Sequence, residues 1–291
     1  MARVSALVVA YNTRDLLLEA LDSLAAEPDL QTIVVDNASS DGSVEAVAAR
    51  FPEVRLIASK TNLGFAAGTN LAAREARGDF LLLLNPDAAL CPEALARLLG
   101  LMASRPRAAA VGPALVYPDG RRQDSAFRFP GLAQVTLDLF PVPRLAGSRL
   151  NGRLAAADEP VQVDHPLGAC MLIRRQAWDD IGPLDEGYFM YVEEVDWCRR
   201  ARRRGWEIWH DPRALVRHRA GAATSQQPEA MFAHLWRSRL RYYQRFHGPA
   251  YNRMVHLLVR LGMAAAARRA RADHSELARR RAIAAIRDLV V

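Results

Sequence analysis

Three sets of acidic and amide residues in this sequence have the types and spacing needed to hold a phosphorylated ligand. Asn12, Asp36-Asn37 and Asn85-Pro86-Asp87 each stand just past the carboxyl end of an apolar, strand-like run. Open α/β sheets bind ligands along that edge, so three aligned polar positions there point to a ligand more than to three unrelated turn caps. The Asp36 carboxylate can accept from a base N–H or a ribose hydroxyl. Asp87 offers a carboxylate and Asn85 an amide oxygen, hard donors of the kind Mg2+ or Mn2+ takes, with positions left over for a substrate diphosphate. Asn62-Leu63-Gly64-Phe65 and Gly68-Thr69-Asn70 bring small and polar residues toward the same edge. Neither a Walker pattern nor a G-x-G-x-x-G loop is present.

A second acidic group, Glu193, Glu194 and Asp196, opens a helix, where the macrodipole favours carboxylates on structural grounds alone. The stretch before it, from Gly182 to Tyr191, is aromatic and loop-like. An apolar wall beside several carboxylates is how a general base acquires a raised pKa. His218, between Arg217 and Arg219, reads on its own as an ordinary surface or core histidine. Cys91, Cys170 and Cys198 are odd in number and lack metal-type spacing, which fits a reducing cytoplasm and packing roles.

The elements that must position these groups alternate through the first hundred residues. Strands are expected at Val4–Ala10, Thr32–Val35, Val54–Ala58 and Phe80–Leu84, with helices between them, one of them over Ala66–Ala76. That alternation implies a doubly wound, mostly parallel sheet. The stretch 124–162 has no clear period. Pattern returns with a strand at Ala169–Ile173, helices at Arg175–Ile181 and from Glu193 to Arg204, and short extended pieces around Glu207–Trp209 and Leu215–His218. Ala220–Pro228 reads as a loop, and everything after Glu229 as helical. The organisation expected is residues 1–228 as one α/β domain, with a ligand-binding half over 1–112 and a second half over 113–228, and a helical region over 229–291.

The chain has 291 residues with 51% hydrophobic side chains, enough for a substantial core. No apolar run reaches the length of a membrane span, and a strand follows the start almost at once, so neither a secretory signal nor an anchor is expected. The net charge is +7, carried almost wholly by arginine, with Lys60 the only lysine. Such basicity suggests an anionic partner, or equally an arginine-rich surface with no partner at all.

Seven of these stretches, in this order, resemble the family 2 inverting glycosyltransferases of GT-A fold, most closely a rhamnosyltransferase-like branch. They are Ser5 to Asn12, Val34 to Ser43, Asn62 to Phe65, Gly68 to Asn70, Asn85 to Asp87, Gly168 to Met171 and Tyr191 to Arg199. The resemblance covers about residues 4 to 250. It implies a Rossmann-like, mostly parallel sheet with flanking helices and a C-terminal helical appendage. It further implies a dTDP- or UDP-linked donor held by Ala10, Tyr11, Asn12, Asp36, Asn62, Gly64, Asn70 and Asn85. Asn85-Pro86-Asp87 would be this chain's form of the family's Asp-x-Asp motif. With asparagine in its first position, Asp87 and a distal His218 would hold the Mg2+ or Mn2+. Glu194 would be the catalytic base and Glu193 an orienting carboxylate. Asp196 would bind acceptor hydroxyls or cap its helix, and Arg199 would face the diphosphate or solvent.

The reaction so implied moves a sugar, rhamnose by preference, from a nucleotide sugar to a glycan or polyprenyl-diphosphate-linked acceptor in cell-envelope polysaccharide synthesis. Alternatives within the fold are a UDP-hexose or UDP-galactofuranose donor, and beyond it a catalytically inactive glycan-binding module. A nucleotidyltransferase would carry a glycine-rich N-terminal loop with a lysine, and this chain has none. The basic C-terminal helices are open to three readings: packing on the catalytic domain, a homodimer contact, or an anionic membrane surface. The last would make a cytoplasmic protein peripheral on the inner face of the cell membrane. No nucleic-acid-binding module is evident.

Overall fold

The computed structural model describes residues 4–145, 148–154, 158–222 and 224–272, with positions 283, 284, 286 and 289. Strands β1 (Val4–Ala10), β2 (Leu30–Asp36), β3 (Arg55–Ala58) and β4 (Phe80–Leu84) lie parallel in the order β3-β2-β1-β4. Helices α1 (Arg14–Ala25), α2 (Ser43–Arg50) and α3 (Gly64–Glu75) join them. β1 and β4 are buried along their whole length, as central parallel strands covered on both faces must be. The order runs outward from β1 to β3 and then returns to the other side of β1. That reversal opens a crevice beyond the carboxyl ends of β1 and β4.

The second half contributes β5 (Ala88–Leu90), α4 (Ala94–Ser104), β6 (Ala108–Val116), β7 (Ala126–Phe127), α5 (Leu132–Leu139), β8 (Val161–Gln162) and β9 (His165–Pro166). Then come β10 (Cys170–Arg174), α6 (Arg175–Ile181), α7 (Glu193–Arg203) and β11 (Glu207–His218). The sheet continues β4-β10-β6-β11-β5, with β10 antiparallel to both its neighbours and β8 on the flank of β11. Two registers matter for function. Cys170 pairs with Leu84, so the residues entering β10 lie beside the end of β4. His218 pairs with Ala88, so the end of β11 reaches the residue after Asp87.

The two extended pieces expected near Glu207 and Leu215 are one strand with an irregularity between Asp211 and Leu215. Pro212 has no N–H to donate there, and the Asp211 carboxylate accepts the Arg213 N–H at 3.0 Å, so the ladder slips and resumes. α3 begins at Gly64, two residues earlier than its apolar pattern suggests, because the Asn62 side chain accepts the Gly64 N–H at 2.9 Å. The unassigned stretch 124–162 holds β7, α5 and β8.

One apolar cluster lies on each face of the sheet, the first against α1 and α4, the second against α3, α6 and α7. A third binds α8 (Pro228–Phe246) and α9 (Pro249–Ala272) to α5 and to Tyr188, Val192 and Val195. The helical region therefore shares a core with the segment that leads into α7. Polar ties reinforce it: Ser238 donates to the Met190 carbonyl at 2.7 Å, and Arg241 pairs with Asp185 at 2.9 Å. The helical reading of the far C-terminus falls largely outside the described residues. Among those described, no helix is long and apolar enough to cross a membrane.

Candidate active site

The crevice beyond β1 and β4 is a cleft of about 460 Å3. Ala10, Tyr11, Asn62, Gly64, Asn85, Asp87, Glu193, Glu194 and His218 all line it, so most residues singled out by sequence meet in one place.

Asp36, which is not part of the cleft lining, closes β2 almost wholly buried next to Asn37, which is. One carboxylate oxygen accepts the Ser39 N–H at 2.9 Å, while Oδ2 has no partner among the described residues. A buried acceptor left over at the carboxyl edge of a parallel sheet suits an N–H or hydroxyl of a ligand. Asn37 pins the facing loop, donating to the Gly64 carbonyl at 3.0 Å. Gly64 has φ +81°, and a Cβ there would lie 2.4 Å from the Phe189 carbonyl oxygen, so only glycine allows α3 to start this close to the 182–191 loop. Asn12 lies at the rim in a left-handed conformation, its side chain accepting the Ser40 N–H at 2.8 Å and its carbonyl accepting from Gln226 at 2.7 Å.

Asn70 corrects the sequence reading. It is buried outside the cleft, exchanging hydrogen bonds with the Leu184 backbone at 2.9 and 3.0 Å and donating to Glu186 at 3.0 Å. With its amide saturated by that loop, it holds the 182–191 segment on α3 and offers nothing to a donor.

At the middle, Asp87 Oδ1 lies 3.4 Å from His218 Nε2, both side chains being nearly buried. Gln123, which the sequence gave no reason to choose, fixes the histidine. Its amide oxygen lies 2.9 Å from Nδ1, and its amide nitrogen donates to the His218 backbone carbonyl. The second bond settles which way the amide points, so Oε1 must accept and Nδ1 must carry the proton. The Nε2 lone pair then faces a carboxylate, an arrangement that a proton or a metal cation resolves. Burial pushes the Asp87 carboxyl up. A proton taken up at His218 Nε2, with its hydrogen bond and charge, and the Ala222 N–H outweigh it, so Asp87 lies below the usual carboxylate range.

The donor set therefore fits a divalent cation held by two side chains, and among the described residues no group of three or more His, Cys, Asp or Glu could hold one. The remaining positions would fall to ligand oxygens. Among the described residues, no arginine or lysine lines the cleft. The chain's large positive charge lies elsewhere.

At the other end, Glu193 and Glu194 begin α7 after Tyr191 and Val192, both with left-handed φ of +70° and +73°. A β-branched residue is strained there, and such strain persists only where packing over-determines it. Val192 and Val195 are gripped by the third core cluster, and the Asp196 N–H closes the turn onto the Val192 carbonyl at 2.9 Å. The helix start is thereby forced to aim two successive carboxylates at the cleft. Gly168, entering β10, leaves them room: a Cβ there would lie 3.1 Å from Glu194 Cδ. Burial and the neighbouring Glu194 charge push the Glu193 carboxyl well above its ordinary range, and its Oε2 has no partner among the described residues.

Two expectations on α7 fail, and α8 has a part in both. Asp196 neither caps the helix nor faces the cleft. It is fully buried, with Oδ1 on Arg200 at 2.7 Å and Oδ2 within 3.1 Å of both Tyr188 and Arg245. Arg199 faces neither diphosphate nor solvent. It donates to the Tyr242 hydroxyl at 2.6 Å and stacks over Phe129, Tyr242 and Phe246 at 5.4, 5.3 and 5.0 Å. Cys170 and Cys198 are buried packing residues.

A family model, glycosyl transferase family 2, matches residues 5–182, more than half of the chain. The chain belongs to glycosyl transferase family 2. It is 32% identical over 227 residues to the N-acetylglucosaminyl-diphospho-decaprenol L-rhamnosyltransferase of Mycobacterium tuberculosis, covering 72% of this chain and 73% of that protein. It is 26% identical to the low-salt glycan biosynthesis hexosyltransferase Agl10 of Haloferax volcanii, over 70% of this chain and 63% of that one. Among solved structures it is similar in fold to mannosyltransferase PcManGT from Pyrobaculum calidifontis in complex with GDP-Man and Mn2+. The TM-score is 0.59 at 21% identity, over 95% of this chain and 77% of the other.

This family 2 glycosyltransferase thus draws on a nucleotide sugar through a GT-A-like sheet. Its cleft also has a wall that sequence reasoning missed. Gln227, just before α8, and Met231 and His234, in its first two turns, line it, and His234 stacks on Phe189 with ring centres 4.5 Å apart. The only local signal was a proline at the first turn of an amphipathic helix, which marks where α8 starts but not what it covers.

Proposed function

We propose that the chain is an inverting, metal-assisted transferase that moves a sugar, L-rhamnose in our reading, from a nucleoside-diphosphate donor to a hydroxyl of a lipid-linked glycan acceptor. One observation carries this. The Glu193–Glu194 pair and the Asp87–His218 pair border the same cleft at the sheet's switch point, one set suited to take a proton and the other to hold a cation. The rhamnosyltransferase relative supports the choice of sugar and of acceptor class. A lipid-linked acceptor sets the work at a membrane surface, in the building of cell-envelope polysaccharide.

Asp36, whose Oδ2 has no partner among the described residues, receives the base or ribose, with Ala10 beside it in the β1–β2 register and Tyr11 and Asn62 on the cleft wall. Asp87 and His218 Nε2 would hold the metal, with Mn2+ favoured over Mg2+ because an imidazole nitrogen suits a transition metal better. Bound there, the cation supplies Lewis-acid stabilisation of charge on the leaving diphosphate. Among the described residues no arginine or lysine lines the cleft, so none of them offers a cationic side chain to replace that stabilisation.

Glu194 accepts the acceptor's hydroxyl proton as that oxygen bonds to the anomeric carbon. The bond from the anomeric carbon to phosphate oxygen breaks on the opposite face, the diphosphate leaves with the electron pair, and configuration inverts. Glu193, biased toward its protonated form, leaves the pair's negative charge on Glu194.

The test is nucleoside diphosphate release from dTDP-rhamnose and from UDP-hexoses, with a short lipid-diphosphate N-acetylglucosamine as acceptor. We expect acceptor-stimulated release from dTDP-rhamnose that needs Mn2+, and a loss of roughly 10²–10⁴-fold in kcat for Glu194→Gln. Full activity in that variant would remove Glu194 as base. Release from a UDP-sugar alone would overturn the donor.

A further inference from the structure

We propose that the outward face of α9 docks this enzyme on an anionic lipid surface. The helix is apolar on two sides. Val255, Val259 and Met263 are buried in the third core cluster, while Met254, Leu257 and Leu261 are 49%, 51% and 53% exposed. Arg253, Arg260 and Arg268 are exposed as well. At about 100° per residue, these three arginines and three apolar side chains fall within one arc of about 120°, opposite the buried stripe. The segment Pro249–Ala272 contains no aspartate or glutamate.

Gly262, on the buried side of α9, lets α5 lie against it, since a Cβ there would meet Leu139 at 2.6 Å. Phe140 and Val142, which follow Leu139, are 38% and 45% exposed.

The chemistry of this face selects its occupant. Apolar side chains at i, i+3 and i+7 want a non-aqueous contact, which water does not supply. A second copy would satisfy them, but a twofold contact would set arginines against arginines with no acid on either helix to compensate. An anionic bilayer satisfies both sets at once. The apolar side chains enter the acyl boundary, and the arginine stems reach up to headgroup phosphates. Each arginine near such a surface is worth about fivefold in affinity. The helix lies on the membrane and does not cross it. The surface is separate from the cleft, so the inference holds whatever sugar the cleft transfers.

The experiment is co-sedimentation of the full chain with vesicles of phosphatidylcholine, with and without about 30% phosphatidylglycerol. We expect binding to the anionic vesicles only. It should weaken by at least about tenfold in Leu257→Glu/Leu261→Glu and by a comparable factor in Arg253→Ser/Arg260→Ser. All three proteins should keep the same melting temperature and the same mass by light scattering. Failure of the parent chain to bind, or binding by both double variants as tight as the parent's, overturns the proposal. So does conversion of a dimer to a monomer by Leu257→Glu/Leu261→Glu, which would assign the face to a second copy.

Discussion

Replacing Gln123 by methionine keeps the side chain's length and removes both of its hydrogen bonds to His218. The consequence follows from the tautomer. With Gln123 present, the proton sits on Nδ1 and the Nε2 lone pair points at Asp87, 3.4 Å away. Without it, a proton on Nε2 can donate to the Asp87 carboxylate instead, and that tautomer cannot bind a metal until it turns over. A buried neutral hydrogen bond contributes about 1–1.5 kcal/mol, so metal affinity should fall by about 5- to 13-fold, at the lower end of what partners of metal-bound histidines are worth. The assay is free Mn2+ measured by electron paramagnetic resonance during titration of protein with a saturating nucleoside diphosphate. The nitrogen shifts of His218 in the metal-free protein report the tautomer directly. Rate measurements should show a raised Mn2+ requirement with kcat recovered at high Mn2+, which a merely misfolded cleft would not give. Unchanged Mn2+ affinity, with Nδ1 still protonated, would refute the reasoning.

Further outcomes follow from the same geometry. Glu193 has a folded-state pKa above its unfolded value, so the folded protein binds the extra proton and stability falls as pH rises from about 4.3 through the raised value. Glu193→Gln should therefore melt higher than the parent at pH 8 and alike near pH 4; a gap that widens toward acid would show the sign to be wrong. Arg199→Met loses the Tyr242 hydrogen bond and the aromatic stack, so it should destabilise by about 2 kcal/mol by urea unfolding with the donor KM unchanged. A raised donor KM at unaltered stability would instead put Arg199 at the diphosphate. Gly64→Ala drives a methyl into the Phe189 carbonyl at positive φ and should cost about 1–3 kcal/mol while raising the donor KM. A variant as stable and active as the parent would mean the loop yields freely.

The alternation of apolar strands and amphipathic helices was legible because parallel strands buried on both faces must be apolar throughout, and β1 and β4 are. Asp36, Asn85 and Asp87 could be found from sequence because a strand's carboxyl end is a local property. The paired carboxylates Glu193 and Glu194 were visible as a cluster, but the cluster alone did not separate them from Asp196. Its partner Arg200, four residues on, was a readable i,i+4 signal; Arg245, from α8, was not. Element boundaries drifted where a side chain outside the pattern decided them, as Asn62 did for α3 and Asp211 for β11.

The sequence by itself determined which residues could do chemistry and on which edge of the sheet most of them stand, since period and strand ends are set by near neighbours. Tertiary structure alone decided which of them meet. The β5–β11 register brings His218 to Asp87, Gln123 arrives from another segment to set the histidine's proton, and α8 withdraws Asp196 and Arg199 from the cleft while closing it with Met231 and His234. Those contacts join residues far apart in the chain, and the arrangement is chosen by burial of the whole core rather than by anything written locally.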